Sequence, residues 1–290
     1  MEKKNRAFEL HFTDTYIDTF RKFCKALTNQ SYMVLFKCKS KKSNLYLTLT
    51  DADGYFVSEL RYTELGHMLT CKSDFSAKIL LDSLEKIISL IRKNGNSVVM
   101  YGYEKEYQLF VDEIGTMDTI GTYEVQTTET LMKDFYIISQ RHFTQKDPKY
   151  CEFTLPVSEM LSIINKLSIA SGSCGGICEM IYEPIKAKDG VASIQFKVEN
   201  DGGMSCTYKI HTTKNVTNKV VLKKVPHQKI SNRFFLSDWD KAKSLYSLFN
   251  TKLNVFFSSK GILWKTDSRY KACFLMWNAP LTNSIIESTC

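Results

Sequence analysis

Phe8-Glu-Leu-His-Phe-Thr-Asp-Thr-Tyr-Ile-Asp-Thr-Phe-Arg-Lys-Phe-Cys-Lys-Ala-Leu27 changes period partway along. Phe8-Glu-Leu10 alternates apolar and polar residues, the signature of a half-buried strand. Thr13 or Asp14 can then cap a helix. Tyr16, Ile17, Phe20, Phe23, Cys24 and Leu27 follow at helical spacing on one face. Beyond the helix, Tyr32-Met-Val-Leu-Phe36 reads as a strand. Leu45-Tyr-Leu-Thr-Leu49 and Tyr55-Phe-Val57 flank the turn Asp51-Ala-Asp-Gly54, and Asp-Gly between alternating strands is a strong hairpin signal. The local order is therefore βαβββ.

The same order recurs three more times, and a repeat of this kind constrains the fold more than any single element. The second copy starts at Phe75-Ser-Ala77, with Leu80, Leu81, Leu84, Ile87, Ile88 and Ile91 on its helix and Asn94-Gly95 to end it. Its later strands are Val98–Tyr101, Tyr107–Val111 and Thr122–Val125. The third copy starts at Glu152-Phe-Thr-Leu155, has Ser158 as cap, and carries Met160, Leu161, Ile163, Ile164 and Leu167 as its stripe. Gly172 and Gly175-Gly176 close that helix, and the strands Ile177–Tyr182, Ala192–Val198 and Ser205–Ile210 follow, the last two around the turn Asn200–Gly203. The fourth copy starts at Phe234-Phe-Leu236, with Ser237 or Asp238 as cap and one helix lined by Trp239, Ala242, Leu245, Leu248 and Phe249. Leu253–Phe257, a Lys260-Gly261 turn, Ile262–Trp264 and Tyr270–Trp277 complete it. Starts at Phe8, Phe75, Phe153 and Phe234 lie 67, 78 and 81 residues apart. A helix and a sheet with one apolar face each must bury one another, so the repeats pair into two α+β domains. The expected domains are 1–125 and 151–290, joined by a connector over 126–150 whose apolar run Phe135-Tyr-Ile-Ile138 belongs to no repeat.

Other features narrow the function. The net charge of +8 lies wholly in residues 146–290, with 20 Lys+Arg against 12 Asp+Glu, while 1–145 balance at 19 each. That asymmetry favours a polyanion as partner. Nine cysteines, an odd number, include no CxxC pair, and Cys174 and Cys178 are the sole close pair. Reduced thiols packed as small hydrophobes are expected, with no metal and no cofactor. The alternating, charged N-terminus is not a signal peptide, and no apolar run is long enough to span a bilayer, so an intracellular protein without a membrane partner is expected. His11, His67, His142, His211 and His227 are scattered, and no HExxH, GxSxG, Walker or GxGxxG motif is present, which argues against an enzyme.

Two tandem doubled βαβββ domains resemble the DNA sliding-clamp family, of the proliferating cell nuclear antigen and viral processivity-factor type. Tyr270-Lys-Ala-Cys-Phe-Leu-Met-Trp-Asn-Ala-Pro280 is similar to the last strand and Ala-Pro turn of that family, and the connector falls where the family has its interdomain loop. The resemblance implies helices on the inner face of a ring, antiparallel sheets outside, and no catalysis by the clamp itself. It implies double-stranded DNA held without sequence preference and a DNA polymerase tethered through a short peptide. On the polar helix faces, the DNA contacts would be Arg21, Lys22, Lys25, Lys86, Arg92, Lys93, Lys166, Lys241 and Lys243, with Lys39, Lys41, Lys42, Lys223 and Lys224 added from basic loops. Asp18, Glu85 and Asp240 share the helix faces. The peptide site would be Leu131, Met132, Phe135, Ile137, Ala279 and Pro280. A homodimer or homotrimer would close a ring through edge strands. The extra basic residues in loops Lys37–Asn44 and Thr212–Arg233 point to a large DNA virus, hence to the nucleus or a viral replication compartment. A checkpoint-type clamp subunit and a non-clamp DNA-binding transcription protein stay open as alternatives.

Overall fold

The computed structural model describes residues 5–42, 44–50, 56–63, 65–103, 106–116, 118–128, 150–172, 176–184, 192–199, 205–212, 221–224, 226–249, 252–266 and 271–281. The chain divides into two compact units, Met1–Leu49 with Glu59–Tyr136 and Ser268–Phe274, and Thr50–Ser58 with Ile137–Asp267 and Leu275–Cys290. The turns Asp51–Gly54 and Asn200–Gly203, Gly175 and the connector over 129–149 lie outside the described residues.

The first unit opens with β1 (Arg6–His11), α1 (Asp14–Thr28), β2 (Met33–Lys39), β3 (Asn44–Thr50, all but its last residue), β4 (Phe56–Tyr62, from Glu59 on) and a short β5 (Leu69–Cys71). The order recurs as β6 (Phe75–Leu80), α2 (Leu81–Lys93), β7 (Ser97–Tyr103), β8 (Leu109–Ile114) and β9 (Thr119–Val125), with a two-residue β10 (Thr127–Thr128). The second unit has β11 (Cys151–Pro156), α3 (Val157–Ser171), β12 (Ile177–Glu183), β13 (Ala192–Glu199), β14 (Ser205–Thr212) and β15 (Val221–Lys224). Its second half is β16 (Ile230–Phe235), α4 (Leu236–Lys241), α5 (Lys243–Phe249), β17 (Lys252–Ser258), β18 (Gly261–Thr266) and β19 (Ala272–Asn278). Four βαβββ repeats are therefore present, with β5, β10 and β15 as short additions.

The repeats exchange their opening strands. β1 pairs antiparallel with β7, Leu10 opposite Met100, while β6 pairs with β2, Ile79 opposite Val34. The second unit does the same: β11 pairs with β17 and β16 with β12. The resulting orders are β5-β1-β7-β8-β9 and β10-β6-β2-β3-β4 in the first unit, and β14-β13-β12-β16 and β19-β18-β17-β11-β15 in the second. All four exchanged pairings are antiparallel, and each joins the opening strand of one repeat to the post-helix strand of the other.

The helices bury the stripes that their periodicity marks. Ile17, Phe20, Phe23, Cys24 and Leu27 of α1 are buried, as are Leu81, Leu84, Ile88 and Ile91 of α2. α1 and α2 pack side by side, and Phe20 and Phe23 close on Tyr62 of β4 with ring centres 5.8 and 6.2 Å apart. In the second unit Met160, Ile163, Ile164 and Leu167 of α3 are buried. Trp239 of α4 is fully buried, 5.2 Å from the Trp264 ring and 6.1 Å from Phe196. These large aromatic burials dominate the core energetics.

Some expectations are corrected. The fourth repeat has two short helices rather than one, broken at Ala242. Ser158 and Ser237 are not caps, because α3 and α4 start immediately after strands that end at Pro156 and Phe235. Thr13 does hold the N-cap position of α1, without a side-chain capping bond. Tyr16, Leu80, Ile87, Leu161 and Leu248 lie at stripe edges and are half-buried.

Candidate nucleic-acid interface

The polar faces of the helices carry two kinds of cation. On α1, Lys22 and Lys25 are exposed and Arg21 is half-buried, and none makes an ion pair among the described residues. On α2, Lys93 is exposed and likewise unpaired, whereas Lys86 Nζ is 2.6 Å from Asp82 one turn earlier. Arg92 turns away from solvent, with Nη1 2.7 Å from Asp14 and Nε 3.3 Å from Asp18 of α1. The last turn of α2 thus lies beside the first turn of α1, and the two helices run antiparallel.

In the second unit Lys241 is exposed and makes no ion pair among the described residues. Lys243 pairs with Asp240 and donates to Asn165 of α3 at 2.8 Å. Lys166 sits 4.8 Å above the Tyr208 ring, and the Tyr208 hydroxyl donates to Glu159. Glu159 and Tyr208 raise no flag in sequence, since one lies on a helix and the other forty-nine residues on in a strand.

The loop and strand cations divide differently. Lys39 Nζ is 2.7 Å from Asp74, which also accepts from the Ser40 amide and hydroxyl at 2.9 Å each. The Lys39 hydrogen bond, with those from Ser40, holds the Asp74 carboxyl down at about 2. Lys41 is exposed, and the Lys42 side chain lies outside the described residues. Lys223 donates to Asn254 at 2.7 Å and lies 3.7 Å from Glu152, and the Lys224 ammonium is 3.7 Å above the Tyr150 ring. Strand side chains alternate faces. Phe153 and Leu155 of β11 are fully buried, and α3 packs on this strand, so Glu152 and the lysine beside it face away from α3. Lys223 therefore lies on the face of β11 opposite to α3.

Of the expected peptide site, Leu131, Met132, Phe135 and Ile137 lie outside the described residues. Ala279 and Pro280 are half-buried and directly follow β19. They are moored on both sides. Buried Asn278 accepts from Trp239 Nε1 and donates to Asp238, each at 3.2 Å. The Leu281 amide donates to the Arg233 carbonyl at 2.9 Å.

Among the described residues, no three His, Cys, Asp or Glu side chains gather as a metal-binding group, and no helix is long and apolar enough to cross a membrane. Burial pushes the Cys151 thiol up to about 12 and the Cys24 and Cys38 thiols well above their ordinary value, which leaves them unreactive.

Two β-rich units built from paired βαβββ repeats, each with its helices side by side, define the fold of a DNA sliding clamp. The chain is similar to the crystal structure of proliferating cell nuclear antigen from Entamoeba histolytica, with a TM-score of 0.67 over 96% of this chain and 100% of that one, at 11% identity. No protein-family model and no curated protein matches the sequence.

Proposed function

We propose that this chain is a DNA sliding clamp, a non-enzymatic polymerase processivity factor that holds duplex DNA without reading its sequence. The observation that carries this reading is the correspondence with a clamp fold over 96% of this chain and 100% of that one. Residues 1–125 and 151–290 serve as the clamp domains, with 126–150 as connector. Lys22, Lys25, Lys93 and Lys241, exposed and unpaired on the helices, supply contacts to phosphate. Such contacts position a protein on DNA without carrying sequence information, which suits a ring that must slide. Self-association through the outermost strands β9 and β14 closes the ring as a homodimer or homotrimer. The polymerase binds by a short peptide at the connector and Ala279-Pro280. The basic charge and the wide sequence distance from the cellular clamp support a large DNA virus as source and the nucleus or a viral replication compartment as site of action.

The test measures binding to linear and circular duplexes across salt concentrations, with the oligomer mass determined in parallel. A clamp binds both without sequence preference, weakens steeply with salt, and escapes from linear ends. A monomer with strong sequence preference would instead be a transcription protein, and assembly only with unlike subunits would mark a checkpoint-type clamp.

A further inference from the structure

The polar face of α2 places Arg92 among the expected phosphate contacts, yet its guanidinium is already committed. Nη1 lies 2.7 Å from Asp14 Oδ1 and donates to the Asn96 carbonyl at 3.3 Å, while Nε lies 3.3 Å from Asp18 Oδ1. The Arg92 side chain is 18% exposed, against 77% for Asp14 and 45% for Asp18. The Nη1 and Nε donors of Arg92 reach a phosphate only by giving up these bonds.

The position of Asp18 gives the arrangement its consequence. Asp18 and Lys22 stand four residues apart on α1, the spacing at which a carboxylate and an ammonium pair across one helical turn. They do not pair here, and Asp18 Oδ1 lies 3.3 Å from Arg92 Nε instead. We propose that Arg92 is a positioning residue: by holding Asp14 and Asp18 it keeps Lys22 free for phosphate and fixes the end of α2, with Lys93, against α1. This rests on the sliding-clamp reading. Without Arg92, Asp18 turns to Lys22 and withdraws a cation from the DNA face, while Asp14 adds an uncompensated negative charge within the roughly 8 Å over which charges act at physiological salt.

The test compares wild type, R92Q, D18N and R92Q/D18N for binding to a duplex of arbitrary sequence over a salt series, and for thermal melting without DNA. R92Q should weaken binding several-fold and reduce the salt slope by about 0.9, the value of one neutralised phosphate. R92Q/D18N should regain most of the slope lost in R92Q although it still lacks Arg92, because Lys22 is released while Asp14 stays unpaired. Melting losses of R92Q and D18N should be less than additive in the double variant, since both break the same ion pair. A slope that stays low in R92Q/D18N would show that Arg92 itself touches phosphate and would overturn the proposal, as would additive melting losses. Wild type that binds no DNA at low salt is a different failure, and it would remove the clamp reading together with this role.

Discussion

Asn278 ends the last strand, and its side-chain amide bonds in two directions, accepting from the Trp239 indole and donating to Asp238. Trp239 is fully buried, so truncating Asn278 leaves its N–H without a partner. Asn278→Ala should cost about 1–3 kcal/mol, the penalty for an orphaned buried donor, read as a lower urea midpoint. It should also loosen the adjoining Ala279-Pro280 and, under the proposed function, weaken capture of a polymerase peptide. Asp74 gives a pH signature. Its folded pKa, about 2, lies below the ordinary 3.8, so the stability it contributes is complete above that ordinary value and is lost as pH falls towards 2. Asp74→Asn should therefore melt earlier than wild type at pH 7, with the difference shrinking as the pH falls towards 2. At this scale the sequence was legible where periodicity governs: Phe20, Phe23, Ile88, Ile164 and Trp239 are buried as their spacing requires. It was not legible where a partner decides. Arg92 and Lys93 are neighbours in sequence, yet one is enclosed by two carboxylates of α1 and the other is exposed.

Repeat order could be read from the alternation of periods, because strand and helix impose their own spacing on apolar residues. Pairing could not. Nothing in Phe8–Leu10 says that its neighbour is the post-helix strand of the other repeat, since the ladder is made of backbone groups common to all residues. The break at Ala242 was equally silent: Trp239, Ala242, Leu245 and Phe249 keep helical spacing across it. The outermost strands have a consequence that can be tested. β9 ends its sheet and carries Ile120 at 63% exposure, an apolar side chain among the exposed Thr119, Thr122 and Glu124 of the same strand. A charge on an edge strand blocks strand addition. If the proposed ring closes through β9, Ile120→Lys should lower the oligomer mass to that of a monomer, with the melting temperature of the isolated subunit unchanged.

For the molecule as a whole, charge is sorted by face. The sequence places its entire excess of +8 in residues 146–290, which marks that half as the one to meet a polyanion. On the helices, however, the exposed unpaired lysines are Lys22, Lys25 and Lys93 in the first unit and Lys241 in the second, while Lys223 lies on the strand face away from α3. Summed charge does not give the direction of a cation, because on a strand that direction depends on register. Replacing Lys22, Lys25, Lys93 and Lys241 with alanine should lower the salt slope of DNA binding by about 0.9 for each phosphate no longer neutralised. Lys223→Ala with Lys224→Ala should leave the slope unchanged.

The exchange of opening strands also sets a timetable for synthesis. Leu10 of β1 finds its partner Met100 only when about 90 more residues have been made, which takes roughly 5–20 s at ribosomal speeds of about 5–20 residues per second. Until Leu69–Cys71 of β5 is made β1 has no strand to pair with, and its other edge stays open until β7 follows. The first half of the protein is then open to pairing with another nascent copy, and a chaperone that shields its first strand should raise the yield of native protein more than one acting on the finished chain.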